Sequence, residues 1–269
     1  MFLLNENNYS NKSIIIFFIL VFALSWPYFI IASLAALGFL PSELVNLWYG
    51  GVSAPMLVAI ILIYIKEKFT GIKNLFRKGF KIKIPKKSFF LPIFLLVPVV
   101  FILALIPIGL IEGSIAAAPM VLWLLPIMFV GMFFSALAEE LGWRGYAFDR
   151  MQTQFQTFRA TLYLGIIWVI WHLPIYIFVF SVPPFNSTPL MVLGQCLNLI
   201  GLEFVFSWIY INTDKSIFTV ALTHNVYNMC TFFLPNFVPE IGAFITSMVL
   251  LVIAAVIVLK WFPKNKKAT

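Results

Sequence analysis

The chain has 269 residues, of which 62% are hydrophobic and only 10% charged, and its mean hydropathy is +1.01. A soluble domain of this length carries about a quarter charged residues, so the composition excludes an ordinary soluble enzyme and describes an all-α, polytopic membrane protein. The formal charge of +8 raises the question of nucleic acid, and the placement of the basic residues along the chain answers it.

A spanning helix needs about 20 apolar residues. Eight stretches qualify, at about 13–36, 48–65, 89–111, 119–140, 160–181, 189–212, 216–234 and 241–262, the second and seventh being the shortest. No internal repeat, low-complexity tract or room for a separate soluble domain is visible, so residues 1–269 read as one integral membrane domain. The first stretch is too long for a signal-peptide core and lacks a small-residue cleavage site, so it is expected to stay as a helix. Cys196 and Cys230 fall inside apolar stretches and are expected to be reduced packing residues. Trp48, Tyr49 and Trp261 near span ends read as interfacial anchors, and residues 183–186 as an outer turn.

Basic residues set orientation. Lys66, Lys68, Lys73, Arg77, Lys78, Lys81, Lys83, Lys86 and Lys87 follow the second stretch, and Arg144, Arg150 and Arg159 follow the fourth. Lys215 follows the sixth, Lys12 precedes the first, and Lys260, Lys264, Lys266 and Lys267 end the chain. The alternate loops hold only Glu43, Glu112 and Glu240. This alternation predicts both termini in the cytoplasm of a multi-pass cell-membrane protein. It uses the positive charge for topology and for contact with anionic lipid, without nucleic acid.

Three stretches carry polar groups that lipid would not tolerate, since an ionisable group at membrane depth costs a few kcal/mol or more. The fourth ends in Glu139, Glu140 and Arg144; the fifth holds Trp168 and His172; the seventh holds His224 and Asn228. At about 1.5 Å per residue these lie roughly 15, 18 and 13 Å from the cytoplasmic ends of their helices, a common depth at which they could converge. Glu140 and Arg144, Trp168 and His172, and His224 and Asn228 are each four residues apart, so each pair shares a helix face. Glu139 is turned about 100° from Glu140. The expected division of labour has Glu140 paired with Arg144, leaving Glu139 to face the histidines.

Two imidazoles and a carboxylate form a common catalytic zinc set with an open position for water, which makes Glu139, His172 and His224 candidate ligands of a divalent metal. Zinc would acidify that water and a carboxylate would take its proton. A carboxylate–histidine pair could equally activate water without metal, and Asn228 could donate to an oxyanion. No serine or cysteine stands in a nucleophile motif beside these residues. Two other classes use the same cluster: a proton-coupled transporter, which inverted repeats would favour and which shows none, and a non-catalytic partner such as an immunity protein. The sixth stretch adds Gln195, Asn198 and Glu203, the last an intramembrane carboxylate without an evident partner. Pro174 is expected to kink the fifth helix beside His172.

The segment Glu139-Glu140-Leu-Gly-Trp-Arg144 matches the Glu-Glu-x-x-x-Arg signature of the CPBP (ABI) family, which groups type II CAAX-processing endopeptidases with bacteriocin-processing enzymes. Trp168-Val-Ile-Trp-His172 resembles that family's Phe-x-x-x-His motif, and His224-Asn-Val-Tyr-Asn228 its His-x-x-x-Asn motif. Motif order, spacing and the eight-helix layout resemble the family over about residues 89–234. The resemblance implies an intramembrane endopeptidase acting on a membrane protein or peptide near the cytoplasmic face. Glu139 would activate water with His172, Glu140 and Arg144 would support it, and His224 and Asn228 would act as ligands or oxyanion donors. One departure is the Trp at 168 where the family has Phe, which bears on substrate fit more than on chemistry. Bacteriocin self-immunity and peptide maturation are roles the resemblance carries with it.

Overall fold

A backbone in lipid must satisfy its own polar groups, which leaves helices or closed barrels. The computed structural model describes residues 11–82, 87–112, 122–179, 188–233 and 240–261, and among the described residues regular structure is helical, without strands. In order these residues form α1 (Asn11–Ala36), α2 (Trp48–Gly79), α3 (Val97–Glu112), α4 (Leu125–Gly142), α5 (Asp149–Gln154), α6 (Thr157–Pro174), α7 (Pro189–Asn212), α8 (Ile217–Phe233) and α9 (Glu240–Trp261). Among the described residues five helical stretches are long and apolar enough to cross a membrane: Asn11–Ala36, Ser42–Gly79, Leu125–Gln154, Thr157–Ile177 and Pro189–Asn212. Shorter apolar helices lie at Pro92–Pro107 and Phe244–Lys260. With α8, eight hydrophobic helices stand at the eight expected positions, the architecture of a multi-pass membrane protein. The expected outer turn at residues 183–186, the start of the fourth span, Lys83, Lys86 and the tail residues Lys264, Lys266 and Lys267 lie outside the described residues.

Helix ends follow local chemistry. Proline opens α4 and α7, where a missing N–H costs nothing, and the Thr188 hydroxyl accepts the Met191 N–H at 3.3 Å. The α7–α8 turn is short: Asp214 and Lys215 take φ of 57° and 56°, and Ser216 Oγ accepts the Thr219 N–H at 3.3 Å as the cap of α8. Beyond Gly142 the helix widens into a π-helical turn, Trp143–Phe148, before resuming as α5. Pro174 ends the α-helical ladder of α6 as expected, and a second π-helical turn, Ile175–Val179, continues it.

The basic stretch after the second span is not a loop. α2 runs on to Gly79, broken at Lys68 (φ 55°, ψ −152°), and its outer part buries Gly71, Leu75 and Gly79. These lie four residues apart on one face and dock beneath α4: a Cβ on Gly79 would come 2.8 Å from Leu141 Cδ2, and one on Gly145 2.5 Å from Leu75 Cδ1. Between the lysines an apolar stripe continues, too narrow for a span but sufficient for packing.

Helix association in lipid relies on close packing, small residues and polar contacts. A Cβ on Gly142 would meet the backbone of Pro55, and one on Gly201 that of Leu250, so α4 approaches α2, and α7 approaches α9, backbone to backbone. Around the π-helical turn an aromatic cluster fills the space: Phe17 stacks on Tyr146 (4.8 Å between centroids) and Trp143 meets Trp171 edge to face at 5.5 Å. Cys196 and Cys230 are free thiols, as expected. Among the five long helices α7 is the most enclosed, with 67% of its most apolar window buried against 28% for α1.

The basic connections meet at one end of the bundle. Asp149 pairs with Lys78 at 2.9 Å and Lys215 at 3.1 Å, Lys81 pairs with Asp214 at 2.6 Å, and Ser216 Oγ donates to the Lys81 carbonyl at 2.8 Å. The segments after α2, α4 and α7 are thereby tied together on the same side.

Candidate active site

Every residue of 136–148 is buried, so the end of α4 and its π-helical turn are enclosed on all faces. Both adjacent glutamates therefore point into protein, and each meets a different neighbour. Glu140 faces α8 and α7; Glu139 faces α6.

Glu140 pairs with Arg144 as the four-residue spacing requires, Oε2 standing 2.8 Å from Arg144 Nη1 with neither group exposed. Its other oxygen, Oε1, lies 2.9 Å from His224 Nδ1. A carboxylate accepts, so Nδ1 carries the proton and the ring presents Nε2 to the site. This corrects the expected division of labour: the hydrogen bond to a histidine comes from Glu140, not Glu139. The physical reason is that α8 packs on the Glu140 face of α4, where Asn225 also donates to the Phe129 carbonyl at 3.1 Å. Glu139 remains within electrostatic reach of His224.

Trp168 is the hub of the other half. Its indole N–H donates to Glu139 Oε2 at 3.3 Å, and its carbonyl accepts from His172 Nδ1 at 2.9 Å. Its ring meets His172 and His224 edge to face, with centroids 5.3 and 5.5 Å away. With Nδ1–H committed to the carbonyl, neutral His172 offers Nε2 as an acceptor. His172 is half-buried, while Glu139 and His224 are buried, and Tyr176 stacks on His172 at 5.6 Å. The tryptophan at 168 thus does more than shape a pocket, since a phenylalanine would supply no donor to Glu139.

Asn228 lies one turn beyond His224 on α8, half-buried, with no hydrogen bond to its carboxamide among the described residues. The structure therefore brings Glu139, Glu140, Arg144, His172 and His224 into one connected cluster, with Asn228 on the same helix as His224.

Glu203 is not the partnerless carboxylate that the sequence suggests. From α7 its Oε2 accepts from Arg144 Nη2 at 2.6 Å, and its Oε1 accepts from Ser207 Oγ at 2.8 Å, all without exposure. Phe206, between them in sequence, lies 5.4 Å from the guanidinium and 5.2 Å from the His224 ring. One signal for this existed: Glu203 and Ser207 share a face at four-residue spacing, and an intramembrane carboxylate needs a cation at its own depth, where the sequence offers Arg144.

Glu139 is held by Trp168, His224 Nδ1 by Glu140, and among the described residues no three of His, Cys, Asp and Glu stand together as an ion-holding group. What the cluster can do as it stands is accept a proton from water and donate to a developing oxyanion.

Comparison with known proteins agrees with the motifs. Residues 121–230 match the family model described as type II CAAX prenyl endopeptidase Rce1-like. Over 191 residues the chain is 30% identical to the CAAX prenyl protease 2 of Methanococcus maripaludis, an overlap covering 66% of this chain and 69% of that protein.

Proposed function

The chain belongs to the Rce1-like type II CAAX prenyl endopeptidase family, and from that membership and the site geometry we propose that it is a membrane-embedded endopeptidase that cleaves a membrane-associated peptide or protein with water activated by Glu139 and His172. The observation that carries this reading is the Trp168 hub, which binds the Glu139 carboxylate through its indole N–H and the His172 imidazole through its backbone carbonyl. A water between them loses a proton to Glu139 or to His172 Nε2, and its oxygen attacks the scissile carbonyl carbon. The carbonyl π electrons move to oxygen, and the oxyanion faces His224, whose Nε2–H donates when the ring is doubly protonated, and the Asn228 amide. Collapse breaks the C–N bond, and the leaving amine takes the proton back. Preorganised donors of this kind are the largest usual contribution to acyl-transfer catalysis.

The basic segments knitted together at one end of the bundle support a cytoplasmic placement of both termini and of the face nearest the site. A prenylated peptide ending in a CAAX sequence is the first substrate to try, because the relative's name specifies one. No step above requires a metal ion, and metal analysis of the purified protein addresses that point separately.

The test uses purified protein in detergent or vesicles with prenylated and unprenylated peptides. Wild type should cleave, and Glu139→Gln should lose on the order of 10²-fold or more in kcat, as removal of a general base does, while eluting as folded protein. Full turnover by folded Glu139→Gln would overturn the assignment. Solute uptake dependent on Glu139, with no peptide cleaved, would move the protein to the transporter class.

A further inference from the structure

Glu203 lies outside the three motifs and has no part in the water activation described above. Its carboxylate nevertheless ends a continuous buried chain, Ser207–Glu203–Arg144–Glu140–His224, that crosses α7, α4 and α8 through contacts of 2.8, 2.6, 2.8 and 2.9 Å. The two carboxylates hold Arg144 differently. The contact with Glu203 is a well-aligned hydrogen bond, whereas that with Glu140 is a close charge pair without hydrogen-bond alignment.

An arginine with a single buried carboxylate favours a two-pronged pairing in which both Nη groups or Nε–H bind both oxygens. Were Glu140 the sole acceptor for Arg144, that pairing would draw Oε1 as well as Oε2 toward the guanidinium and away from its bond with His224 Nδ1. Glu203 prevents it by holding Nη2, so Glu140 stays bound through one oxygen and keeps the other for His224. We infer that Glu203 is a positioning residue for the proposed peptidase, acting through Arg144 and Glu140 to hold the His224 ring. The fold makes specific room for it: a Cβ on Gly165 of α6 would come within 3.3 Å of both Glu203 Cβ and Cγ.

This inference rests on the endopeptidase reading, and its test separates the two. The chain has two histidines, so ¹⁵N-histidine labelling reports on the site alone, with His172→Ala assigning the signals. In Glu203→Leu the downfield, hydrogen-bonded Nδ1 proton of His224 should disappear. Its kcat should fall about tenfold or more with KM little changed, the size expected when a catalytic group is misplaced. Glu203→Gln keeps an acceptor for Arg144 and should lose less. In a Glu140→Leu background Glu203→Leu should lower kcat no further, because the acceptor for His224 is already gone.

Should Glu203→Leu fail to fold, Gly165→Ala, which displaces the Glu203 stem by a few tenths of an ångström and keeps the carboxylate, should weaken the same proton signal and lower kcat. An unchanged His224 signal with full kcat in folded Glu203→Leu, or in Gly165→Ala where Glu203→Leu does not fold, would overturn the positioning role. A wild type that cleaves nothing would sink the endopeptidase reading, while the His224 signal would still decide whether Glu203 holds the ring.

Discussion

Two ion pairs in this protein have the same length and opposite settings. Lys81 meets Asp214 at 2.6 Å with side chains 37% and 59% exposed, and Arg144 meets Glu203 at 2.6 Å with both at 0%. Distance alone therefore says nothing about what each contributes. The first exchanges one polar environment for another, and such pairs contribute about 0–1 kcal/mol. The second removes charges from water and from lipid alike, and its value lies in what happens when one partner is missing.

The widest separation between the two pairs should come from Arg144→Ala. It leaves Glu140 and Glu203 buried without a cation, and breaking a buried pair costs about 3–5 kcal/mol, so thermal unfolding in detergent should shift strongly downward and yield should fall. Replacing all three charges together, Arg144→Met with Glu140→Leu and Glu203→Leu, should recover most of that stability and none of the peptidase activity. Stability that stayed low in the triple variant would mean that shape rather than charge holds α4 to α7.

A smaller effect is expected at the hub. Trp168→Phe keeps a ring between the two histidines and removes the donor to Glu139, a hydrogen bond to a charged group worth about 1.5–3 kcal/mol. Turnover should drop about tenfold or more with KM little changed, since that energy acts on the base rather than on substrate binding. Equal kcat in the two proteins would reduce position 168 to a packing role. The smallest effect belongs to Lys81→Ala, which should change stability by less than about 1 kcal/mol, with the difference fading as salt is raised. A larger loss would show that the surface pair is coupled to the Ser216 bond onto the Lys81 carbonyl.

The spans and the convergence of three motif helices were legible because both depend on quantities a sequence states directly: apolar length and residue count from a helix end. The partners inside the site were not. Assigning Glu140 to Arg144 alone treated α4 as a helix with one inner face, whereas α6, α7 and α8 enclose it, so both glutamates are internal and each has its own neighbour. Glu203 looked solitary because its cation lies on another helix, 59 residues away in sequence, and no periodicity links the two. The outer part of α2 was hidden for a different reason. Its packing face is built from Gly71, Leu75 and Gly79, two of which add almost no hydropathy among the lysines.

The π-helical turn at Trp143–Phe148 has a consequence for how this chain tolerates changes in length. A π turn holds one residue more than the α-helix around it. Deleting a single residue there would restore the ordinary ladder and leave everything beyond it facing nearly the same way, because the five-residue step of the π turn covers nearly the same rotation as a four-residue step of the α-helix. Asp149 would keep its direction toward Lys78 and Lys215, and Arg150, which now lies 3.7 Å from the Tyr146 ring, would stay at the same end of the bundle. A one-residue deletion confined to this turn is thus a length change the segment can absorb, whereas the same deletion in the regular ladder of α4 would turn all that follows by about 100° about the helix axis.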